Sequence, residues 1–313
     1  MIYTVTLNPA WDKTATIPDF SFGQVNRIQA VREDIGGKGI NVSKCISALG
    51  GESTAIVLLA GYSGKRMSSL LAQEPHIISK DFWASQGETR TNIKIVDPIH
   101  HCNTDINEPG PMIDAETLKR MEDFLISSAK QGDIVVLSGS LPKGTSPTLY
   151  RDWGTKCQEK GVHVFLDADG DVLAYGLECR PFLIKPNQAE LSTLMKRPIT
   201  TRQELLDAGR ALHEKYRTHV VISMGSDGAL FLDNDDFFYI SAPKANVIST
   251  VGAGDSMIAA FAYGTSMGLS WQEQAKLAIA CGSASVTNSG SQPPDWKTVH
   301  AFLQQIHIQA LST

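Results

Sequence analysis

Val251-Gly-Ala-Gly-Asp255-Ser-Met257 follows a β-like run and opens an apolar helix that continues through Ala259-Ala260-Phe261. Gly252, Ala253 and Gly254 let the backbone come close to a ligand. The first N–H groups of a helix have no internal acceptors, and the helix dipole adds partial positive charge there. The turn therefore suits a phosphate or a developing oxyanion. Asp255 is the odd member, because a carboxylate beside an anion hole repels phosphate. It makes sense as a base that takes a proton from an attacking hydroxyl. Anion hole plus base is what phosphoryl transfer to an alcohol requires. The same residues also read as a tight turn with a capping aspartate.

The flanking sequence alternates short apolar strands with amphipathic helices. Strands are expected at Asp133–Ser138, His163–Asp167, Phe182–Ile184 and His219–Ser223. Helices are expected at Ser146–Lys160, Asn187–Met195 and Thr201–Tyr216. This rhythm predicts a parallel sheet with helices on both faces. Ala229–Asp233 and Phe237–Ser241 flank Asn234-Asp-Asp236 and read as a hairpin. Helices at Ala253–Met267, Trp271–Thr287 and Asp295–Gln305 close the chain. The first hundred residues differ. Polar-alternating strands near Ala15–Ile17, Arg27–Asp34, Arg90–Val96 and Asn103–Asn107 suggest a small separate sheet, placed to act as a lid.

Composition narrows the class. At 313 residues, with 42% apolar and 19% charged side chains, the chain can bury a full α/β core, and no apolar run is long enough for a membrane span. Met1 runs straight into strand-like Ile2–Leu7, so no signal peptide is expected. Five scattered cysteines without a CxxC spacing argue for reduced thiols and a cytoplasmic address. His100-His101-Cys102 has metal-ligand chemistry but reads as a solvated hairpin turn. A net charge of −5 gives no support for nucleic-acid or membrane binding, so local cations must meet any anionic substrate.

Four further segments carry chemistry. Ile35-Gly-Gly-Lys-Gly-Ile-Asn41 is a second glycine loop before a helix; it lacks the Ser or Thr of a Walker A. Its glycines let a ligand touch the backbone, Lys38 supplies charge, and Asn41 offers a donor and an acceptor to a polyol. A turn with an N-cap is the other reading. Asn8-Pro-Ala-Trp-Asp12 ends the first strand, where ligands of open α/β sheets bind, and Asp12 there is a turn residue or an acceptor for sugar hydroxyls. Arg90, Asn92 and Lys94 alternate along a lid strand and share a face, which is either solvated or phosphate-binding. In Lys185-Pro-Asn187-Gln-Ala-Glu190, Asn187 and Glu190 lie on one helical face. They suit a hydrated magnesium ion or, equally, a capping box. Ser223-Met-Gly225-Ser226-Asp227-Gly228 follows a strand and suits a nucleotide passing over glycine backbone, or a plain hairpin turn.

Taken in order, Gly36-Gly-Lys-Gly-Ile-Asn41, Lys185-Pro-Asn187-x-x-Glu190 and Val251-Gly-Ala-Gly-Asp255 make the chain resemble the ribokinase-like (PfkB) sugar kinases along nearly its whole length. Thr89-Arg-Thr-Asn-Ile-Lys94, Thr104–Pro111 and Ser138-Gly-Ser140-Leu-Pro-Lys-Gly144 resemble the branch acting on fructose 1-phosphate, with the tagatose 6-phosphate branch as near neighbour. The resemblance implies a single three-layer α/β/α domain over 1–313 with a mostly parallel sheet. It also implies a β-lid from strands within about 12–34 and 89–108. It implies Asp255 as general base and Gly252, Ala253 and Gly254 as anion hole. Asp12, Gly37, Lys38, Asn41, Arg90, Asn92 and Ser140 would hold the sugar phosphate. Lys185, Asn187, Ser223, Gly225, Ser226, Asp227, Gly228 and Gly254 would line the ATP site, with Asn288 near the adenine. Glu190, with Asn187, would place Mg2+ through water. The expected partners are ATP and a sugar phosphate, with a homodimer through the lid. A non-catalytic sugar-phosphate sensor is the alternative from another class, and the intact Asp255 with its anion hole speaks against it.

Overall fold

Strands buried on both faces need no polar alternation, and Ile134-Val-Val-Leu-Ser138 is of that kind. In the computed structural model, which describes residues 1–233 and 237–311, such strands build one large sheet. The chain starts with β1 (Ile2–Thr6), then leaves this sheet for β2 (Ala10–Thr16) and β3 (Ala30–Gly36). Helix α1 (Lys38–Ala48) returns it to β4 (Ser53–Leu59), and α2 (Gly61–Leu71) leads to β5 (Ile77–Trp83). A second excursion makes β6 (Arg90–Asp97) and β7 (Cys102–Asn107). Then come α3 (Ala115–Ser128), β8 (Ile134–Ser138), α4 (Leu149–Glu159), β9 (His163–Asp167), α5 (Gly170–Gly176) and β10 (Leu183–Ile184). Helices α6 (Gln188–Leu194) and α7 (Arg202–Tyr216) precede β11 (His219–Ser223), β12 (Ala229–Leu232) and β13 (Phe237–Ile240). The chain ends with α8 (Ala253–Ser266), α9 (Trp271–Ser285), α10 (Trp296–Leu303) and β14 (Ile308–Ala310).

Among the described residues the main sheet has ten strands, in the order β14-β13-β12-β11-β10-β9-β8-β1-β4-β5. The run from β11 to β5 is parallel, while β12, β13 and β14 are antiparallel. Alternate side chains of the central strands feed two cores, while Ala55, Val57 and Leu59 of β4 and Ile77 of β5 join a third with Met67 and Leu71 of α2. Tyr3, Val5, Val135, Leu137 and Ile222 pack with α3, α4 and α7 on one face. Ile2, Ile134, Val136, Phe165 and Val221 pack with α1, α8 and α9 on the other. This is the three-layer arrangement expected of the βαβα rhythm. The predicted hairpin forms between β12 and β13, and its Asn234-Asp-Asp236 turn lies outside the described residues. Among the described residues no helix is long and apolar enough to cross a membrane.

The small sheet runs β3-β2-β6-β7. Its four strands, whose polar runs read in the sequence as unseparated by helices, come as two pairs, with α1, β4, α2 and β5 of the main body between them. Register gives the small sheet two unlike faces. Asp12 lies opposite Asp34 and Asn92, and Asn92 opposite Asn107, so these four share one polar face; Arg32, Lys94 and Asp105 lie one row further along it. On the reverse face Ala15, Ile17 and Ile95 form a small core of their own, while Val31, Ile93 and Ile106 are exposed.

Candidate active site

The parallel strands end along one edge, and the chemistry gathers there, where open α/β sheets bind ligands. Asn8 follows β1, Ser140 follows β8, Asp167 ends β9, Lys185 follows β10 and Ser223 ends β11. Helices α1 and α8 point their N-termini at the same edge.

The glycine loop behaves as its sequence predicts in one respect and not in another. Gly252 caps α8 with φ 81°, the left-handed region that glycine tolerates, and Asp255 lies in the first turn. The preceding segment is no strand. Ile248 N–H and Ser249 N–H instead bond to Val286 O at the end of α9, so a tertiary contact replaces the ladder that the apolar composition suggested. One of the N–H groups expected to form an anion hole is partly engaged, since Ala253 N–H makes a long 3.4 Å contact to Thr250 O.

Asp255 is buried, and Asn41 Nδ2 donates to its Oδ2 at 2.8 Å. Burial first, then the neighbouring Asp167 charge, pushes its carboxyl up to about 6, against the pull of Lys38, Asn41 and Lys185. A carboxylate poised there is suited to accept a proton near neutrality. Lys38 lies 3.2 Å and Lys185 3.6 Å from Asp167. Burial works against the Lys38 ammonium, but Asp167, Asp255 and Glu190 outweigh it and hold its pKa above the ordinary range. Lys185 rests on the anion-hole backbone: a Cβ on Gly254 would lie 2.9 Å from its Nζ.

In the second glycine loop, Gly37 caps α1 with φ 124°. The space that Gly39 leaves is taken by β1 and not by a ligand, because a Cβ there would sit 2.7 Å from Val5 O and 2.4 Å from Thr6 Oγ1. Asp12 does not end the first strand. It lies within β2 on the lid, where Asn92 Nδ2 donates to its Oδ1 at 3.0 Å and Gly36 leaves room for its other oxygen. Burial raises its pKa, opposed by Asn92 and Arg90. The Arg90 guanidinium, expected to read phosphate, already donates to Asn8 O at 3.2 Å and Glu108 O at 3.3 Å, which anchors it where the lid meets β1.

The nucleotide-side residues divide. Asn187 and Glu190 form a complete capping box: Asn187 Oδ1 accepts from Glu190 N–H at 2.9 Å, and Glu190 Oε2 from Asn187 N–H at 2.8 Å. Asn187 also bridges to Ser223. Gly225, Ser226 and Asp227 make one 3-10 turn, and Gly228 packs so tightly on β13 that a Cβ would meet Ile240 O at 2.0 Å. Asn288 Nδ2 donates to Pro293 O at 2.9 Å. Among the described residues no three His, Cys, Asp or Glu side chains converge as metal ligands. His100 serves the lid instead, its Nδ1 lying 2.7 Å from Asp97 Oδ2. For magnesium, Glu190 keeps one oxygen beyond its cap, and its charge reaches Lys38. That donor set fits a hydrated ion carried by phosphates, the usual habit of Mg2+, and not an all-protein cage.

Sequence reading missed Asp167. Its position at the end of β9, on the ligand edge of the sheet, was the available signal. Asn8 was quoted without a role, yet its Nδ2 donates to Ser140 Oγ at 3.2 Å and Pro109 O at 3.3 Å. Asn8, Asn41 and Asn92 each spend their amide donors inside the protein, and each leaves a buried Oδ1 without a partner. Buried unpaired acceptors are costly, and hydroxyl groups satisfy them.

The pfkB family carbohydrate kinase model matches residues 5–298 of this chain. The 1-phosphofructokinase of Bacillus subtilis is 36% identical over 285 residues, covering 91% of this chain and 92% of that protein. Phosphofructokinase-2 of Escherichia coli in complex with potassium superposes with a TM-score of 0.91 at 30% identity, covering 97% of this chain and 98% of that one. The same enzyme in complex with substrates and products gives a TM-score of 0.92 at 29% identity, with the same coverage.

Proposed function

Because this chain belongs to the pfkB family of carbohydrate kinases, we propose that it transfers the γ-phosphoryl group of ATP to the C6 hydroxyl of fructose 1-phosphate, giving fructose 1,6-bisphosphate and ADP. The observation that carries the reading is Asp255: a buried carboxylate held by Asn41 at the N-terminus of α8, with its pKa raised to about 6.

In this mechanism the sugar lies between the polar lid face and α1. Asp12 and the unpartnered oxygens of Asn8, Asn41 and Asn92 accept its hydroxyl protons. Asp255 takes the proton of the C6 hydroxyl as that oxygen bonds to the γ-phosphorus and the bond to the β-phosphate oxygen breaks. The N–H groups that open α8, with Lys38 and Lys185, meet the charge on the transferred group. A Mg2+ ion held through water by Glu190 would neutralise the nucleotide phosphates. Arg90 and Lys94 are the lid cations for the 1-phosphate. Lys185, Asn187 and the Ser223–Gly228 turn face ATP, with Asn288 toward the base.

The lid, within one kinase domain, also carries the assembly. Val31, Ile93 and Ile106 form an apolar stripe on the face away from the sugar, and Phe22 and Val25, in the segment between β2 and β3, are 98% and 81% exposed. A second copy of this chain pairing lid to lid would cover them. Four of the five cysteines are buried free thiols, which suits the reducing cytoplasm.

Coupled ADP-release assays with fructose 1-phosphate, fructose 6-phosphate, tagatose 6-phosphate and free fructose test the reading. Fructose 1-phosphate is expected to give the highest kcat/KM. A clear preference for another sugar would overturn the substrate assignment.

A further inference from the structure

Asp167 is 2% exposed, ends β9, and has two lysines from different elements converging on it. Lys38, which opens α1, reaches Oδ2 at 3.2 Å, and Lys185, which follows β10, reaches Oδ1 at 3.6 Å. Both contacts are ion pairs, and neither carboxylate oxygen has an aligned hydrogen bond. One lysine belongs to the glycine loop on the sugar side, and the other lies against the backbone of Gly254. We propose that Asp167 is a positioning residue for the kinase reaction proposed above, the shared counter-ion that fixes Lys38 and Lys185 on either side of the path of the phosphoryl group.

A lysine is a point charge on a flexible four-carbon stem, so it must be immobilised before it can favour a transition state over a ground state. Lys185 is buried and Lys38 about a third exposed; without a carboxylate between them the two ammonium groups would repel and Lys38 would turn to solvent, leaving an uncompensated buried charge on Lys185. Asp167 removes that repulsion while using one direction of each ammonium group. The remaining donors point where phosphate oxygens pass. Because Asp167 contacts neither Asn41 nor the N–H groups of α8 in the bonds described, its loss should leave Asp255 in place and disperse the cations. Its charge opposes ionisation of Asp255, whereas Lys38 and Lys185 favour it. If Asp167 acted only as a charge, removing it would move the acid limb of the rate profile to lower pH; with the two lysines dispersed as well, their lost pull offsets that shift.

The test is the pH dependence of kcat and the KM for each substrate in Asp167→Asn and Asp167→Glu, with melting temperatures recorded. Turnover by the unaltered chain in the same assay reports separately on the kinase reading, and the variants use the sugar phosphate that it prefers. Asp167→Asn is expected to lower kcat roughly a hundredfold with little net movement of the acid limb. Asp167→Glu should recover about a tenth of the activity with the limb near its original place. If Asp167→Asn does not fold, Asp167→Glu carries the test, and unaltered kcat in that variant overturns the proposal. Unaltered kcat in a folded Asp167→Asn, or an acid limb clearly moved to lower pH, also overturns it. So does a loss that saturating Mg2+ restores, because Asp167 would then act on the metal and not on the lysines.

Discussion

Asn41 Nδ2 donates to Asp255 Oδ2 at 2.8 Å, joining the first residues of α1 to the first turn of α8 across 214 positions of sequence. The two glycine loops are thereby one device. In the proposed reaction, the loop assigned to the sugar thereby orients the carboxylate assigned to its hydroxyl. Removing the bond should raise the pKa of Asp255, since a donor to a carboxylate stabilises the charged form. Asn41→Ala is expected to lower kcat roughly tenfold to a hundredfold and to move the acid limb of kcat to higher pH. An unshifted limb would show that Asn41 serves the sugar alone.

Asp255→Asn should fold and lose about 10²–10⁴ in kcat. It should also be more stable than the unaltered chain at neutral pH. The folded pKa of Asp255, about 6, lies above its ordinary value of 3.8, so the fold prefers the neutral acid. For such a group, stability is fully present below the unfolded pKa and is lost as pH rises through the folded one. The ionised carboxylate therefore costs on the order of 1–3 kcal/mol at pH 7.5, and the neutral amide avoids it. Thermal melts of both proteins at pH 7.5 and pH 4.5 check this: the gap should narrow at the lower pH, and an equal gap would contradict it.

Glu190→Gln separates cap from metal. The amide oxygen of Gln can still accept from Asn187 N–H, so helix α6 should lose well under about 1 kcal/mol. The Mg2+ concentration for half-maximal rate should rise at least severalfold while the sugar-phosphate KM stays within about twofold. An unchanged Mg2+ titration would leave Glu190 with the capping role alone.

Arg90→Ala should reduce kcat/KM for fructose 1-phosphate by about tenfold to more than a hundredfold, the range for a lost charged hydrogen bond. Free fructose, which has no phosphate to lose, should suffer much less. The two carbonyls that Arg90 holds, Asn8 O and Glu108 O, make a structural loss a real competitor. Arg90→Lys keeps the charge without the fork. Equal losses on both sugars in both variants would assign Arg90 to anchoring the lid.

Ile93→Glu places a charge in the middle of the apolar lid face. Sedimentation should show a dimer for the unaltered chain and a monomer for the variant, with the melting temperature little changed, because Ile93 is 36% exposed. A monomer at all working concentrations of the unaltered chain would remove the proposed pairing.

The sequence by itself determined the layers and the placing of Asp255 in the first turn of a helix behind a glycine cap. Continuous apolar strands such as Ile134–Ser138, alternating with amphipathic helices, allow a parallel sheet covered on both faces and little else. A glycine turn opening a helix that carries Asp255 is likewise local chemistry, legible wherever the chain happens to fold. Edge strands β5 and β14 and the helices α2, α3 and α5 went unread: β14 and α5 are short, and α2 and α3 each bury only a narrow stripe, Gly64, Met67 and Leu71 in one and Thr117, Met121 and Leu125 in the other. Tertiary structure alone decided which residues meet. Register across β3, β2 and β6 put Asp34, Asp12 and Asn92 on one face, and took Asp12 from the end of β1 onto the lid. It resolved Asn187 and Glu190 into a capping box, and closed Gly39 against Val5 and not against a ligand. It also brought Lys38, Asp167 and Lys185 together from three separate elements. Periodicity reports which side of an element is buried, a property of a dozen consecutive residues. Ion pairs between distant segments depend on strand order and crossover, and those are fixed only when the whole sheet has formed.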